Sequence, residues 1–394
     1  LFFLMIRRPP RSTLFPYTTL FRSEFDDFVL KNSAWLPDYA LFMAVKRHFG
    51  MAAWYNWPDE GIRLRTPEAA QKYSRLLKDE VEFFEYIQFI FFRQWEQLRS
   101  YAHQKGVSIM GDLPIYVALD SADVWSEPSC FLLDEDNIPL EVAGVPPDYF
   151  SEDGQLWGNP LYNYAAMERN GYGWWIRRVD GAARLFDALR IDHFRGFESF
   201  WAVPYGAETA KAGRWVKGPG IDLVGRLTAW FSNTQFIAED LGTLGPEVHE
   251  LLHESKLPGM KVLEFAFDPE EESDYLPHRY SSNCVCYTGT HDNAPLAAWM
   301  RDASAGELKK AERYLGLNER EGFVRGIIRG GMSSVASVFI GQLQDWLELG
   351  ADARINTPGT LGENWQWRVT HEQLSRTLAA EIAAMTSLYG RCHD

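Results

Sequence analysis

Basic residues are in deficit: 39 Lys and Arg face 54 Asp and Glu, a formal net charge of -15 over 394 residues. Without a broad basic field, the chain has little to attract a nucleic acid or an anionic membrane. A neutral substrate suits that balance. Cysteine is scarce, with Cys130, Cys284, Cys286 and Cys392 forming no C-x-x-C pair. That argues against a disulfide framework and for a reducing, cytoplasmic setting. Cys284 and Cys286 lie two apart in an apparent strand, which gives them one face and a packing role. Phosphate loops are missing as well. The glycines at 144–158, 326 and 330–331 match neither G-x-G-x-x-G nor G-x-x-x-x-G-K-[ST]. No G-x-S-x-G elbow supports acyl transfer by a Ser–His–Asp triad. Internal repeats and low-complexity segments are also wanting.

The first 23 residues do not fit the rest. They lack an initiator Met, and Arg7, Arg8, Arg11 and Arg22 follow the apolar run instead of preceding it. The run is too short to span a membrane, and no signal-peptide cleavage site is visible. Residues 1–23 are read as a non-native leader, with natural sequence ahead of position 24 expected to be missing. Residues 24–394 are read as an incomplete catalytic β/α barrel with long helical and loop insertions.

Within that region, residues 26–50 and 66–104 read as helical, the second stretch opening on Thr66-Pro67-Glu68, a capping residue with Pro just inside. A long aromatic loop is expected over 118–164, and another over 203–220. Ser304 with Glu307 predicts a capping box for a helix to about Leu315, and Thr370 with Gln373 a cap for the last helix. Six apolar strands are expected, at 107–111, 187–191, 235–239, 261–267, 284–289 and 335–341. Their alternation with helices points to a parallel sheet covered by helices. A closed barrel needs eight strands, so either the sheet is open or two strands are absent with the N-terminus.

Three of these strands end on acids: Asp192 in LRIDHFRG, Glu239 in FIAEDLG and Asp292 in YTGTHDN. Acids at the C-terminal ends of parallel strands assemble barrel active sites. Two carboxyls facing one another suffice for glycoside chemistry. Arg190, two residues before Asp192, shares its strand face and favours an ionised carboxylate, as a nucleophile requires. Glu239, desolvated near another acid, is suited to be a general acid. Asp292 between His291 and Asn293 could bind vicinal hydroxyls, and Asp112 in GDLP could orient the others. Any one of these acids could instead cap a turn or helix. The aromatics, 14% of the chain, include Trp157, Trp215, Trp365 and Trp367 in glycine- or proline-rich stretches. Each could stack on a sugar ring or anchor its loop.

Metal chemistry remains an alternative at this level. His249-Glu250-Leu251-Leu252-His253 reads as H-E-x-x-H, without an identifiable third ligand. His193, His291 and Asp192 could ligate zinc or manganese.

Longer blocks carry a resemblance. GDLPIYVALDSADVW (111–125), VAGVPPDYFSEDGQLWGNPLY (142–162), LRIDHFRGF (189–197), IAEDLG (237–242), PGMKVLEFAF (258–267), GTHDN (289–293) and NTPGTLGENWQWR (356–368) resemble the 4-alpha-glucanotransferases of glycoside hydrolase family 77. The resemblance implies a (β/α)8 TIM barrel of the alpha-amylase clan, here lacking its first strands. It implies a metal-independent enzyme with no cofactor. Its partners would be alpha-1,4-glucans (maltooligosaccharides, starch or glycogen) with glucose as acceptor, and neither nucleic acid, membrane nor an obligate protein partner. By resemblance Asp192 is the nucleophile, Glu239 the acid and then base, and Asp292 the transition-state stabiliser. Arg190 holds the nucleophile, and His193 and His291 contact the sugar. Asp112 is expected at the substrate site. Asp148, Phe150, Tyr162 and Trp215 are expected in the donor or acceptor cleft, with Asp345 and Asn364 in support. An alpha-amylase-like hydrolase and a non-catalytic glucan-binding protein are the competing readings.

Overall fold

A computed structural model describes residues 19–147, 151–242, 244–360 and 362–392. The chain divides into two units, Leu1–Leu189 with Gly196–Gln235, and Arg190–Arg195 with Phe236–Asp394.

The first unit opens on helices Thr19–Lys31, Leu36–His48, Pro67–Leu76 and Lys78–Gln104. The first of these begins inside the stretch that the sequence alone sets apart. Thr66 caps the third, its Oγ1 accepting from Ala69 N at 3.3 Å with Pro67 at the first helical position. Ala40, Ala44 and Phe84 bury the contact between the second and fourth helices, small residues admitting the large ring.

This unit carries β1 (Met110–Leu113), β2 (Glu141–Val145), β3 (Gln155–Pro160), the start of β4 (Ala188–Ile191), β5 (Ser199–Pro204) and β6 (Arg214–Lys217). β2, β3, β5 and β6 form an antiparallel sheet of order β3-β2-β5-β6. This corrects the two long loops expected over 118–164 and 203–220. The strands are short, β2 and β3 contain glycine, and the central β2–β5 pairing spans more than fifty residues, so no local period announces them. Val142, Val203 and Ala210 bury one face.

Asp187, just before β4, is a hub. It accepts from Arg99 Nη2 at 2.5 Å, His103 Nε2 at 2.9 Å and Ile109 N at 2.8 Å. Burial would raise its pKa, but the Ile109 amide, His103 and Arg99 outweigh burial and hold it at about 2. A depressed acid stabilises the fold above its unfolded pKa and ceases to as pH falls through the folded one. Asp187→Asn is therefore expected to cost about 1–2 kcal/mol at pH 7, after allowing for solvent screening. In urea unfolding that difference should shrink between about pH 4 and pH 2.

The second unit carries β7 (Gln235–Ala238), whose first residue still belongs to the first unit, then β8 (Gly259–Val262), β9 (Cys284–Tyr287) and β10 (Val338–Ile340). β8, β9 and β10 pair in parallel, in the order β10-β9-β8. β7 lies beside β4 with matching direction, Gln235 N bonding Asp187 O and Glu239 N bonding Ile191 O. Ala238 N reaches Pro258 O at 2.9 Å, so the end of β7 adjoins the start of β8. Cys284 and Cys286 bury together with Leu263, Leu296, Ile327 and Ile328, whereas Val285 and Tyr287 join Ile237, Met260 and Val262. That is the period-two alternation read from the sequence, with both faces apolar as in a helix-covered parallel sheet.

The Ser304–Glu307 capping box forms and opens helix Ala305–Leu315. At the last helix the cap moves. Gln373 Oε1 accepts from Thr370 N at 2.8 Å, but the helix starts later, at Arg376, capped by Ser375 Oγ. The ten strands fall into three sheets, and among the described residues they do not close into an eight-stranded ring.

Candidate active site

The second unit holds the three acids, with their Arg and His neighbours, at its strand ends. Leu189 and Ile191 are buried, and Arg190 between them is 6% exposed. In the Arg190 guanidinium, Nη1 lies 3.0 Å from Asp192 Oδ1 and Nε donates to Met260 Sδ at 3.3 Å. The Asp192 side chain remains 41% exposed. A buried cation thus fixes a carboxylate that solvent can still reach.

His193 follows with φ +54°, a left-handed conformation that is uncommon for a non-glycine residue. The turn aims its amide at Glu239: His193 N donates to Oε2 at 2.7 Å. Leu241 N donates to Oε1 at 2.9 Å, so each Glu239 oxygen accepts one backbone N–H. Burial raises the Glu239 pKa and dominates. Arg190 opposes it, the Asp192 charge adds to it, and the two amides oppose it, leaving about 7. Burial also holds the His193 imidazole down at about 4, with Arg195 contributing, so it is neutral at pH 7.

Asp240, next along, is 8% exposed and accepts from Met260 N at 2.6 Å. It ties β8 to the end of β7 and seats the methionine that supports Arg190. Gly259 makes this approach possible, because a Cβ there would lie 2.5 Å from Asp240 Oδ2.

Asp292 lies in a turn after β9. Asn356 Nδ2 donates to its Oδ1 at 2.6 Å, and Arg354 Nη2 donates to its backbone O at 2.6 Å. Its own N donates to Thr290 Oγ1 at 3.2 Å. His291 Nε2 lies 3.4 Å from Oδ2, and its ring packs against Trp365 at 5.1 Å. Asn356→Ala would remove the shortest of the contacts that place this carboxylate. We expect kcat/KM of any reaction that uses this carboxylate to fall by about tenfold, the cost of about 1–2 kcal/mol for one such hydrogen bond.

Other expected residues fare differently. Asp112 is an exposed residue of β1 in the first unit. Trp215 in that unit is 43% exposed and packs edge-on against Trp201. Tyr162, expected in a cleft, is a core residue instead. It is 2% exposed, donates its hydroxyl to Ile115 O at 2.7 Å and packs against Tyr116, Phe131, Trp174 and Trp175. Asn364 staples its own loop, accepting from Thr357 N and donating to Thr360 O. Asp148 and Phe150 lie outside the described residues. His249 and His253 sit on helix Pro246–Ser255, and among the described residues no group of three His, Cys, Asp or Glu could hold a metal.

Sequence reasoning missed Asn356, Arg354 and Glu264. Glu264 had a signal, being the one acid inside the apolar run KVLEFAF. Asn356 and Arg354 had none, since they reach Asp292 across more than sixty residues.

Known proteins share this arrangement of sequence. The family model described as 4-alpha-glucanotransferase matches residues 15–374. A 4-alpha-glucanotransferase of Clostridium butyricum is 46% identical over 370 residues, covering 93% of this chain and 76% of that protein. One of Aquifex aeolicus is 47% identical over 367 residues, covering 93% and 75%. Among solved structures, an amylomaltase from Streptococcus agalactiae in complex with acarbose superposes with TM-score 0.92 at 38% identity, covering 95% of this chain and 76% of that one. An amylomaltase from Corynebacterium glutamicum, 20% identical with TM-score 0.71 and coverage of 89% and 53%, shares the fold. The chain belongs to the 4-alpha-glucanotransferases of glycoside hydrolase family 77, within the alpha-amylase clan, and is an α/β enzyme of that family.

Proposed function

We propose that Asp192, Glu239 and Asp292 carry out retaining transfer of alpha-1,4-glucan segments to the 4-hydroxyl of glucose or a maltodextrin. The observation that carries this reading is the contrast between the two acids. Asp192 sits against a buried guanidinium, whereas Glu239 is pushed up to about 7 chiefly by burial. Environments that separate two carboxyls in this way divide nucleophile from acid.

In the first half-reaction Asp192 Oδ attacks the anomeric carbon, and the bond to the leaving glycosidic oxygen breaks. Glu239 gives that oxygen its proton, and a covalent glucosyl-enzyme results. In the second, the ionised Glu239 takes the proton of an incoming 4-hydroxyl. That oxygen attacks the anomeric carbon and releases Asp192. Double displacement retains configuration. Asp292, held by Asn356 and Arg354, binds ring hydroxyls more strongly as the ring flattens toward the oxocarbenium-like state. His193, neutral at pH 7, offers an imidazole that can hydrogen-bond a sugar without adding charge.

We read β1, β4, β7, β8, β9 and β10 as strands of a (β/α)8 barrel, supported by the acids at their carboxyl ends. Cytoplasmic glucans, as maltooligosaccharides, glycogen or starch, are the proposed substrates. The buried thiols Cys130, Cys284 and Cys286 are in keeping with a reducing compartment.

The test is incubation with maltotriose and chromatography of the products. Glucose with a ladder of longer maltodextrins is expected. Glucose and maltose without longer chains would make the enzyme a hydrolase.

A further inference from the structure

Behind the Asp292 turn lies a second pair of buried acids. Glu264, just after β8, is 7% exposed, and Asp345, after β10, is fully buried. Asp345 is committed on both oxygens: Thr288 Oγ1 donates to Oδ2 at 2.6 Å, and Leu296 N to Oδ1 at 2.7 Å. Glu264 is not. Its Oε1 is buried without a hydrogen-bond partner among the described residues, and so is Gln342 Nε2. Both atoms crowd Gly289, where a Cβ would lie 2.7 Å from Gln342 Nε2 and 2.9 Å from Glu264 Oε1. The glycine that begins GTHDN thus lets Glu264 press against the root of the turn.

Glu264 and Asn293 meet at that glycine. A Cβ at Gly289 would also lie 3.0 Å from Asn293 Cβ, so both side chains crowd one point, and Asn293 and the Arg354 charge both favour the ionised form of Glu264. Asn293 Oδ1 accepts from Thr290 N and Thr290 Oγ1, both at 2.9 Å, and Thr290 Oγ1 accepts from Asp292 N. Arg354 donates to Asp292 O and, through Nε, to Asn356 O at 2.9 Å. Asn356 completes the circuit on Asp292 Oδ1.

We propose that Glu264 is a positioning residue for transfer, packing behind Gly289 and Asn293 and through that turn orienting the Asp292 carboxylate. This rests on the role proposed above for Asp292. A buried acid with one unpartnered oxygen is a poor device for stability, and an apolar side chain of similar size would suit the fold better. Its value lies in the frame it holds. The charged groups facing it are Asp345, which disfavours its ionisation, and Arg354, which favours it. Burial acts first and Asp345 adds to it, against Asn293 and Arg354, putting its pKa at about 9. Glu264 is therefore neutral at working pH and ionises beside Asp345 as pH rises through about 9, loosening the frame.

The experiment compares the wild-type chain with Glu264→Leu, Glu264→Gln and Asp292→Asn, measuring kcat and KM for maltotriose transfer, Tm and the alkaline pH profile. Glu264→Leu is expected to lower kcat by about tenfold or more, leave KM within about twofold and leave Tm unchanged or raised. Glu264→Gln, neutral and isosteric, should restore kcat to within about threefold of wild type. The wild-type profile should also steepen above about pH 9, and that of Glu264→Gln should not. A Glu264→Leu enzyme with unaltered kcat would overturn the proposal. So would kcat and Tm falling together, or a Glu264→Gln enzyme as slow as Glu264→Leu. Should Glu264→Leu not fold, an unchanged alkaline slope in Glu264→Gln would overturn it alone. Asp292→Asn separates the two levels. Full activity there would remove the role of Asp292 itself, whereas an inactive Asp292→Asn beside an unimpaired Glu264→Leu would refute only the part played by Glu264.

Discussion

Asp192→Asn is expected to abolish transfer, lowering kcat on maltotriose by about 10⁴-fold or more, because an amide of the same shape cannot form the covalent intermediate. Every other group stays in place, so KM should move far less than kcat. The substitution also strips the buried Arg190 of its carboxylate. Losing one partner of a well-buried pair is costly, but the Asp192 side chain is 41% exposed and water reaches its place. A stability loss of about 1 kcal/mol in urea unfolding follows. Activity lost with little stability lost marks a chemical role. Collapse of both would mean that the Arg190 pair is mainly structural.

Glu239→Gln should lower kcat on maltotriose by about 10³-fold, the typical contribution of a positioned general acid and base. In the wild-type chain kcat/KM is expected to fall as pH rises through about 7, where Glu239 loses the proton that the leaving oxygen needs. The residual activity of Glu239→Gln should lack that limb. The substitution should move stability the other way. The Glu239 pKa is raised from 4.5 to about 7, so between those values the native state keeps a proton that the unfolded chain releases. Stability then falls as pH rises across that window, by at most about 3 kcal/mol. Glu239→Gln cannot ionise, so its Tm should exceed that of wild type at pH 8 and match it near pH 4. A stabler and nearly inactive variant is the signature of an acid buried for chemistry.

The legible parts of this protein were those with local periods. Strand-end acids after apolar runs pointed to Asp192, Glu239 and Asp292, and alternation placed Arg190 on the face of Asp192 and Cys284 with Cys286. The Ser304 capping box named its helix start correctly because both partners lie within one turn. Thr370 misled, since Ser375 supplies the same chemistry five residues later. The β3-β2-β5-β6 sheet was read as loop because its strands are short and its central β2–β5 pairing is long-range. Tyr162 was placed in a cleft because it lies in a block resembling the family. A buried hydroxyl satisfied by Ile115 O leaves no mark in sequence. Asn356, Arg354 and Glu264 belong to the same class: their significance is geometric, set by what the chain brings behind Asp292.

The central claim, a covalent relay between Asp192 and Glu239, is tested most directly by giving the Glu239→Gln chain an alpha-glucosyl fluoride. Fluoride leaves without help from an acid, so the first half-reaction should proceed, while the second, deprived of its base, should stall. Intact-mass and peptide analysis should then show one added hexosyl group on the peptide bearing Asp192. A steady absence of adduct while fluoride is released, or an adduct carried by a different acid, would contradict the account.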